Sequence, residues 1–127
     1  MSDLPTSVRL AQQADQVARA LGDNRLLVLT CQALCWAYGF AAEWELAWQL
    51  GQESVERARE LGDDVLLGES LGAYASVAPP DECWPLYAEA FACAERTGDL
   101  FWTLGPRNNA GFMALAAGDI PAARAHL

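Results

Sequence analysis

Cys31 and Cys35 are the first residues in this 127-residue chain whose types and spacing invite chemistry. On a helix an i, i+4 pair shares a face, and two thiolates on one face can begin a tetrahedral zinc site. Such a site needs two more ligands. Cys83 and Cys93 form no Cys-x2-Cys pair, and the single histidine is His126. All four cysteines sit in apolar helical text, where a free thiol in a reducing compartment behaves as a small hydrophobe. The expectation is therefore buried thiols, no metal and a cytoplasmic setting. Other chemistry is equally thin. There is no Gly-rich phosphate loop, no Ser–His or Cys–His constellation and no carboxylate pair with a reason to be paired. Glu43, Glu45, Glu53, Glu56, Glu60 and Glu82 read as a solvated face, and Asp63-Asp64 as helix capping. No enzymatic activity, catalytic residue or cofactor is expected.

Aromatic residues are the remaining candidates. Trp44 and Trp48 form an i, i+4 pair at the start of a helix. Two readings stand side by side: packing against the preceding helix or loop, or an exposed anchor for a partner. Trp84 and Trp102 are expected to pack.

The elements that must position these residues come from a repeat. Leu86, Ala90, Ala94 and Gly98-Asp99 stand at spacings of four, and the same frame occurs at Leu10, Ala14, Ala18, Gly22-Asp23 and at Leu50, Ser54, Ala58, Gly62-Asp63. Offsets of 40 and 36 residues with helical texture mean stacked helix pairs. Each Gly supplies the left-handed residue that ends one helix, and each Asp caps the next, so helices are joined by tight turns. Gly118-Asp119 repeats the device.

The expected helices span about 6–21, 24–38, 43–61, 64–78 and 82–97, the last capped by Asp81. Pro106 then breaks the pattern into a turn at 100–104 and a helix from 106 to 116, and a final helix from 119 is cut off at Leu127. The inner stripe of the first helix is Leu10, Ala14, Val17, Ala18 and Leu21; the second helix is apolar over most of its surface. The third carries Leu46, Ala47, Leu50, Ser54, Val55 and Ala58 inward. Gly68 and Gly72 weaken the fourth by about 1 kcal/mol each relative to Ala. The fold class is all-α, with about seven helices in one repeat domain over 1–127: an orphan helix 6–21, pairs 24–61 and 64–97, and a partial pair 100–127, reading as a segment of a longer protein.

Composition excludes several partners. Net charge is −9 and all eight basic residues are Arg, which argues against direct nucleic-acid binding. No apolar run approaches the ~18 residues of a membrane helix. Met1-Ser-Asp-Leu-Pro has no basic or apolar leader texture, so no secretion signal is expected.

Aligned on Gly-Asp, a small residue stands twelve positions after each Asp (Cys35, Ala75, Gly111), followed three later by Tyr38, Ala78 and Ala114. With Asn108-Asn109-Ala110-Gly111 through Ala125, this texture resembles tetratricopeptide units. It is similar to the degenerate arrays of large bacterial LuxR/MalT-like and antibiotic-regulator-type transcriptional regulators. Phe40-Ala-Ala-Glu43, Pro79-Pro80-Asp81 and Pro106 depart from the pattern.

The resemblance implies a right-handed α-solenoid whose concave groove, lined by the first helix of each pair, binds a peptide or neighbouring domain. Carried over position by position, the groove presents Leu29, Gln32 and Trp36, then Glu69, Gly72 and Ser76, then Asn108 and Phe112. Trp36 and Phe112 also suit a core. A regulator's array can instead sense a small inducer, for which Gln32, Glu69, Asn108 and Arg107 are the polar candidates. A ligand-free structural spacer is a third reading. Unpartnered apolar faces on the terminal helices further lead to an expected homodimer.

Overall fold

A computed structural model describes residues 6–98, which form five α-helices and, among those residues, no strand. They are α1 (Thr6–Leu21), α2 (Asn24–Phe40), α3 (Trp44–Leu61), α4 (Asp64–Val77) and α5 (Pro80–Thr97). The expected helices beyond 98 lie outside the described residues. No helix among the described residues is long and apolar enough to cross a membrane.

The turns follow from Gly-Asp chemistry. Gly62 adopts φ 68°, and its N–H returns to Ala58 O and Arg59 O, closing α3. Asp63 then accepts from the backbone N–H of Val65 (3.0 Å) and Leu66 (3.1 Å), opening α4. Asp23 does the same for α2 through Leu26 N. Each carboxylate satisfies helix-start donors that nothing else in the helix can bond.

The α2–α3 turn lacks Gly-Asp yet keeps the same geometry. Ala42 takes φ 59° in the glycine slot, and Glu43 N–H reaches back to Tyr38 O at 2.9 Å. That six-residue closure matches Asp23 N–H to Ala18 O after α1. Pro79 sets the remaining turn. It drives Ala78 to extended backbone (ψ 154°), ending α4 at Val77.

Asp81 does not cap α5 as expected. Pro79 occupies the cap position, and α5 starts at Pro80, with Asp81 inside its first turn. Proline at the first helical position brings a suitable φ and lacks only an N–H that would go unbonded.

Each helix packs against the next, and α2 also meets α4 directly; among the described residues α1, α3 and α5 make no backbone approach to one another. The core runs through α4, where Leu66, Leu67, Leu71, Tyr74, Ala75 and Val77 are buried, and continues into Tyr38, Val55 and Tyr87. Glycines permit this closeness. A Cβ on Gly51 would lie 2.9 Å from the Tyr74 ring, and one on Gly39 would lie 2.7 Å from Val77 Cγ1. Gly68 is buried against Cys93, so the residue expected to weaken α4 serves its packing.

Two expectations about burial fail, one in α1 and one in α3. In α1 the residues turned to α2 are Val8, Asp15 and Ala18, while Leu10, Val17 and Leu21 are 60%, 56% and 69% exposed. Ala14 is exposed as well, whereas its frame equivalents are buried, Ser54 in α3 and Ala90 in α5, because each of those helices has another packed on that side. Among the described residues the backbone of α1 approaches only α2, so its second stripe stays bare. In α2, apolar on most sides, the groove positions Leu29 and Trp36 are exposed, and Phe40, which falls beyond the expected end of the helix, is exposed with them. In α3, Leu46 is also exposed, at the edge of a cleft rather than in the core.

Left-handed backbone costs an L-residue roughly 1–2 kcal/mol and glycine little. Ala42→Gly should therefore raise unfolding free energy by about 1 kcal/mol, read as a higher urea midpoint at unchanged slope. An unchanged or lower midpoint would show that the turn carries no strain.

Candidate functional site

The site begins with the α2 face that no helix covers among the described residues. Leu29, Ala33, Trp36 and Phe40 recur at i, i+4, i+7 and i+11, and all four are exposed. At the upper end of this stripe Trp36 and Phe40 stack, with ring centroids 6.1 Å apart and planes 26° apart. Trp44 enters from the start of α3. Together with Gly39, Ser76 and Val77 these rings line a cavity of about 170 Å³. Trp36 is 38%, Trp44 48% and Phe40 86% exposed. Single apolar residues at a surface are ordinary, but three neighbouring rings form a patch.

The local fold explains why the rings stay outside. Gly39 lets α2 close on Val77, so there is no room between the helices for a ring. The Ala42 turn then carries the chain from Phe40 to Trp44 in four residues. The tryptophan pair of α3 divides: Trp48 is half-buried and its indole N–H donates to Val77 O, capping α4, whereas Trp44 remains at the surface. Packing is thus the role of Trp48 and exposure that of Trp44.

Of the groove positions taken from the sequence, Trp36 and Ser76 meet in the cavity. Leu29 is exposed further down the same α2 stripe. Gln32 donates its amide to Ser70 Oγ (2.9 Å), tying α2 to α4. Glu69 and Gly72 are half-buried on α4. Ser76 Oγ donates to Gly72 O (2.8 Å) and stands 3.4 Å from Tyr87 Oη. Asn108 and Phe112, like Arg107, lie outside the described residues. Sequence reasoning missed Phe40 and the cavity it lines with Trp44. The signal was available in the second apolar stripe of α2, one more than a helix in a two-sided stack can bury.

A second cleft lies between α1 and α3 over an α2 floor. It encloses about 420 Å³ and is lined by Gln12, Asp15, Gln16, Leu34, Tyr38, Leu46, Gln49 and Leu50. Gln12 donates to Tyr38 Oη at 2.7 Å, and forty residues on Gln52 donates to Tyr74 Oη at 2.8 Å. Beside the cleft, Asp15 accepts from Thr30 Oγ1 (2.8 Å) and Arg19 Nε (2.7 Å). Arg19 continues to both oxygens of Glu53 at 3.0 Å, and Arg57 reaches Glu53 at 2.8 Å.

The thiols are electrostatically quiet. Burial pushes Cys35 up to about 12, and burial with the nearby carboxylates of Glu53 and Asp15 does the same for Cys31. Both are protonated at neutral pH and so are poor nucleophiles. Their partners differ: Cys35 faces Ala73 O, and Cys31 faces Asp15. Among the described residues no three His, Cys, Asp or Glu side chains are grouped to hold a metal ion.

No protein-family model matches the chain, and no curated protein matches it.

Burial alone would raise the Glu53 carboxyl, but the hydrogen bonds and charges of Arg19 and Arg57 outweigh it, leaving its pKa below the usual glutamate range. A lowered folded pKa gives stability that is full above about pH 4 and is lost as pH falls through the folded value. Glu53→Gln should thus cost about 1 kcal/mol at pH 7. The gap to the parent protein should narrow as pH is lowered through 4 toward 3. A gap that stays constant in denaturation series over that range would remove Glu53 from the acid response.

Proposed function

We propose that the chain is a tetratricopeptide-like, right-handed solenoid of about seven helices that binds a peptide or neighbouring protein domain, as part of a cytoplasmic bacterial signalling or transcription regulator. The observation that carries the binding role is the cavity ringed by exposed Trp36, Phe40 and Trp44. Exposed aromatic rings beside a cavity are what binding anchors of partners use, because they offer large area at small entropic cost.

The repeat reading is supported by side chains that recur in register. Arg19 of α1 pairs with Glu53 of α3, and Arg59 of α3 pairs with Glu89 of α5. The two arginines are 40 residues apart and the two glutamates 36, the offsets of the Gly-Asp frame. Direct α2–α4 contact, with α1, α3 and α5 held apart, is the arrangement of a stack curved toward α2 and α4.

A specific feature favours a second reading, a small-molecule sensor. The α1–α3 cleft, at about 420 Å³, has the size of a small-ligand site and combines three glutamine amides with an apolar floor.

Peptide display against the chain tests the first reading. Selected peptides should lose at least tenfold in affinity on Trp36→Ala and on Phe40→Ser, the second being a residue outside the core. Peptides that bind both variants as well as the parent would move the docking face elsewhere. For the second reading, a thermal-shift screen of small polar metabolites should find a stabiliser whose effect disappears with Gln49→Ala. A screen without hits, or hits indifferent to Gln49, would leave the cleft without a ligand role.

A further inference from the structure

The aromatic cavity sits at the end of the helix stack where α2 and α4 finish and α3 and α5 begin. Charge is sorted along this axis. Arg19, Arg25, Arg57, Arg59 and Arg96 all lie toward the Gly-Asp end, and each pairs there with a carboxylate. The aromatic end carries Glu43 and Glu45 on either side of Trp44, and Asp81 and Glu82 in the first turn of α5. All four are exposed, and none takes part in the ion pairs among the described residues. Glu43 occupies the cap position of α3 without using its side chain as a cap. Among the described residues the one arginine toward this end is Arg9, on α1, whose backbone approaches only α2.

Resting on the proposed role of this face in binding a protein segment, we infer that its occupant is cationic: a segment whose Arg or Lys side chain enters between Trp36, Phe40 and Trp44 while Glu43 and Glu45 neutralise its charge. Three considerations converge. Indole and phenyl faces attract guanidinium and ammonium groups, Trp most strongly. The cavity, at about 170 Å³, is smaller than the ~300–1,000 Å³ of drug-sized sites and suits one inserted side chain. The net charge of −9 adds long-range attraction for a basic segment and repels an acidic one. The stem of Lys or Arg is itself apolar and would cover the rings, while its charged head would reach for the carboxylates that flank Trp44 in the chain.

Isothermal titration of the 127-residue chain with three synthetic dodecapeptides tests this inference. One alternates Leu with Arg, one replaces each Arg with neutral citrulline, and one replaces each Arg with Glu. The Arg peptide should bind, the citrulline peptide should be about tenfold weaker, and the Glu peptide should not bind. Trp36→Ala and Trp44→Ala should each weaken the Arg peptide by about 3- to 30-fold. Phe40→Ser should do likewise while leaving the urea midpoint in place. The double variant Glu43→Gln/Glu45→Gln should flatten the dependence of affinity on salt. Equal binding of the citrulline or Glu peptide, still lost on Trp36→Ala, would overturn the cationic occupant and leave the docking face standing. Arg-peptide binding indifferent to all three aromatic variants would show attraction by charge alone and overturn the inference. Should none of the three peptides bind, the inference fails, and the display selection still decides whether the face docks anything.

Discussion

Helix α4 can touch three other helices only because side chains are missing where it crosses them. Gly39 admits Val77, Gly51 admits the Tyr74 ring, and Gly68 on α4 itself admits Cys93 of α5. Each glycine in a helix interior forgoes about 1 kcal/mol relative to alanine. Full burial of one large apolar side chain returns roughly 1.5–3 kcal/mol, and α4 buries Leu66, Leu67, Leu71 and Val77 together with Tyr74. The balance favours the crossing. The aromatic site is a by-product of the same constraint, since a close α2–α4 contact leaves no interior place for Trp36 or Phe40.

Much of the backbone was legible in the sequence because its signals are local. A glycine followed by a capping carboxylate marks a helix end and a helix start within two residues, and the bounds expected for α1 and α3 agree with those observed to within one residue. At the α2–α3 turn the same closure is made by Ala42 and Glu43, which no residue-type rule would reveal, since alanine at φ 59° is stable only when the helices on both sides hold it there. The start of α5 was misplaced for a similar reason. Asp81 looks like a cap, but Pro80 already satisfies the first-turn geometry.

What a helix faces was harder to read than where it lies. Leu10, Val17 and Leu21 have the periodicity of a core stripe and remain exposed, because periodicity shows that a face is apolar and not what stands opposite it. Trp44 and Trp48 are identical residues one turn apart, and only the position of Val77 O separates them. The Arg19–Glu53 and Arg59–Glu89 pairs were invisible for another reason. Their partners are 34 and 30 residues apart, and a charged residue on an amphipathic helix is by default read as solvated.

Those two ion pairs span gaps that no backbone contact bridges, and this gives the stack unequal faces in a mechanical sense. Along α2 and α4, close-packed side chains resist both stretching and compression, as protein interiors do. Along α1, α3 and α5, the spacing is held by long arginine stems ending in solvent-exposed guanidinium–carboxylate contacts, which yield at small energetic cost. The molecule is therefore built like a leaf spring clamped on one side. The α2–α4 side also carries an ion pair, Arg25–Asp63 at 2.8 Å, but it rests on buried side chains as well, so added salt weakens the α1–α3–α5 side more than the seam.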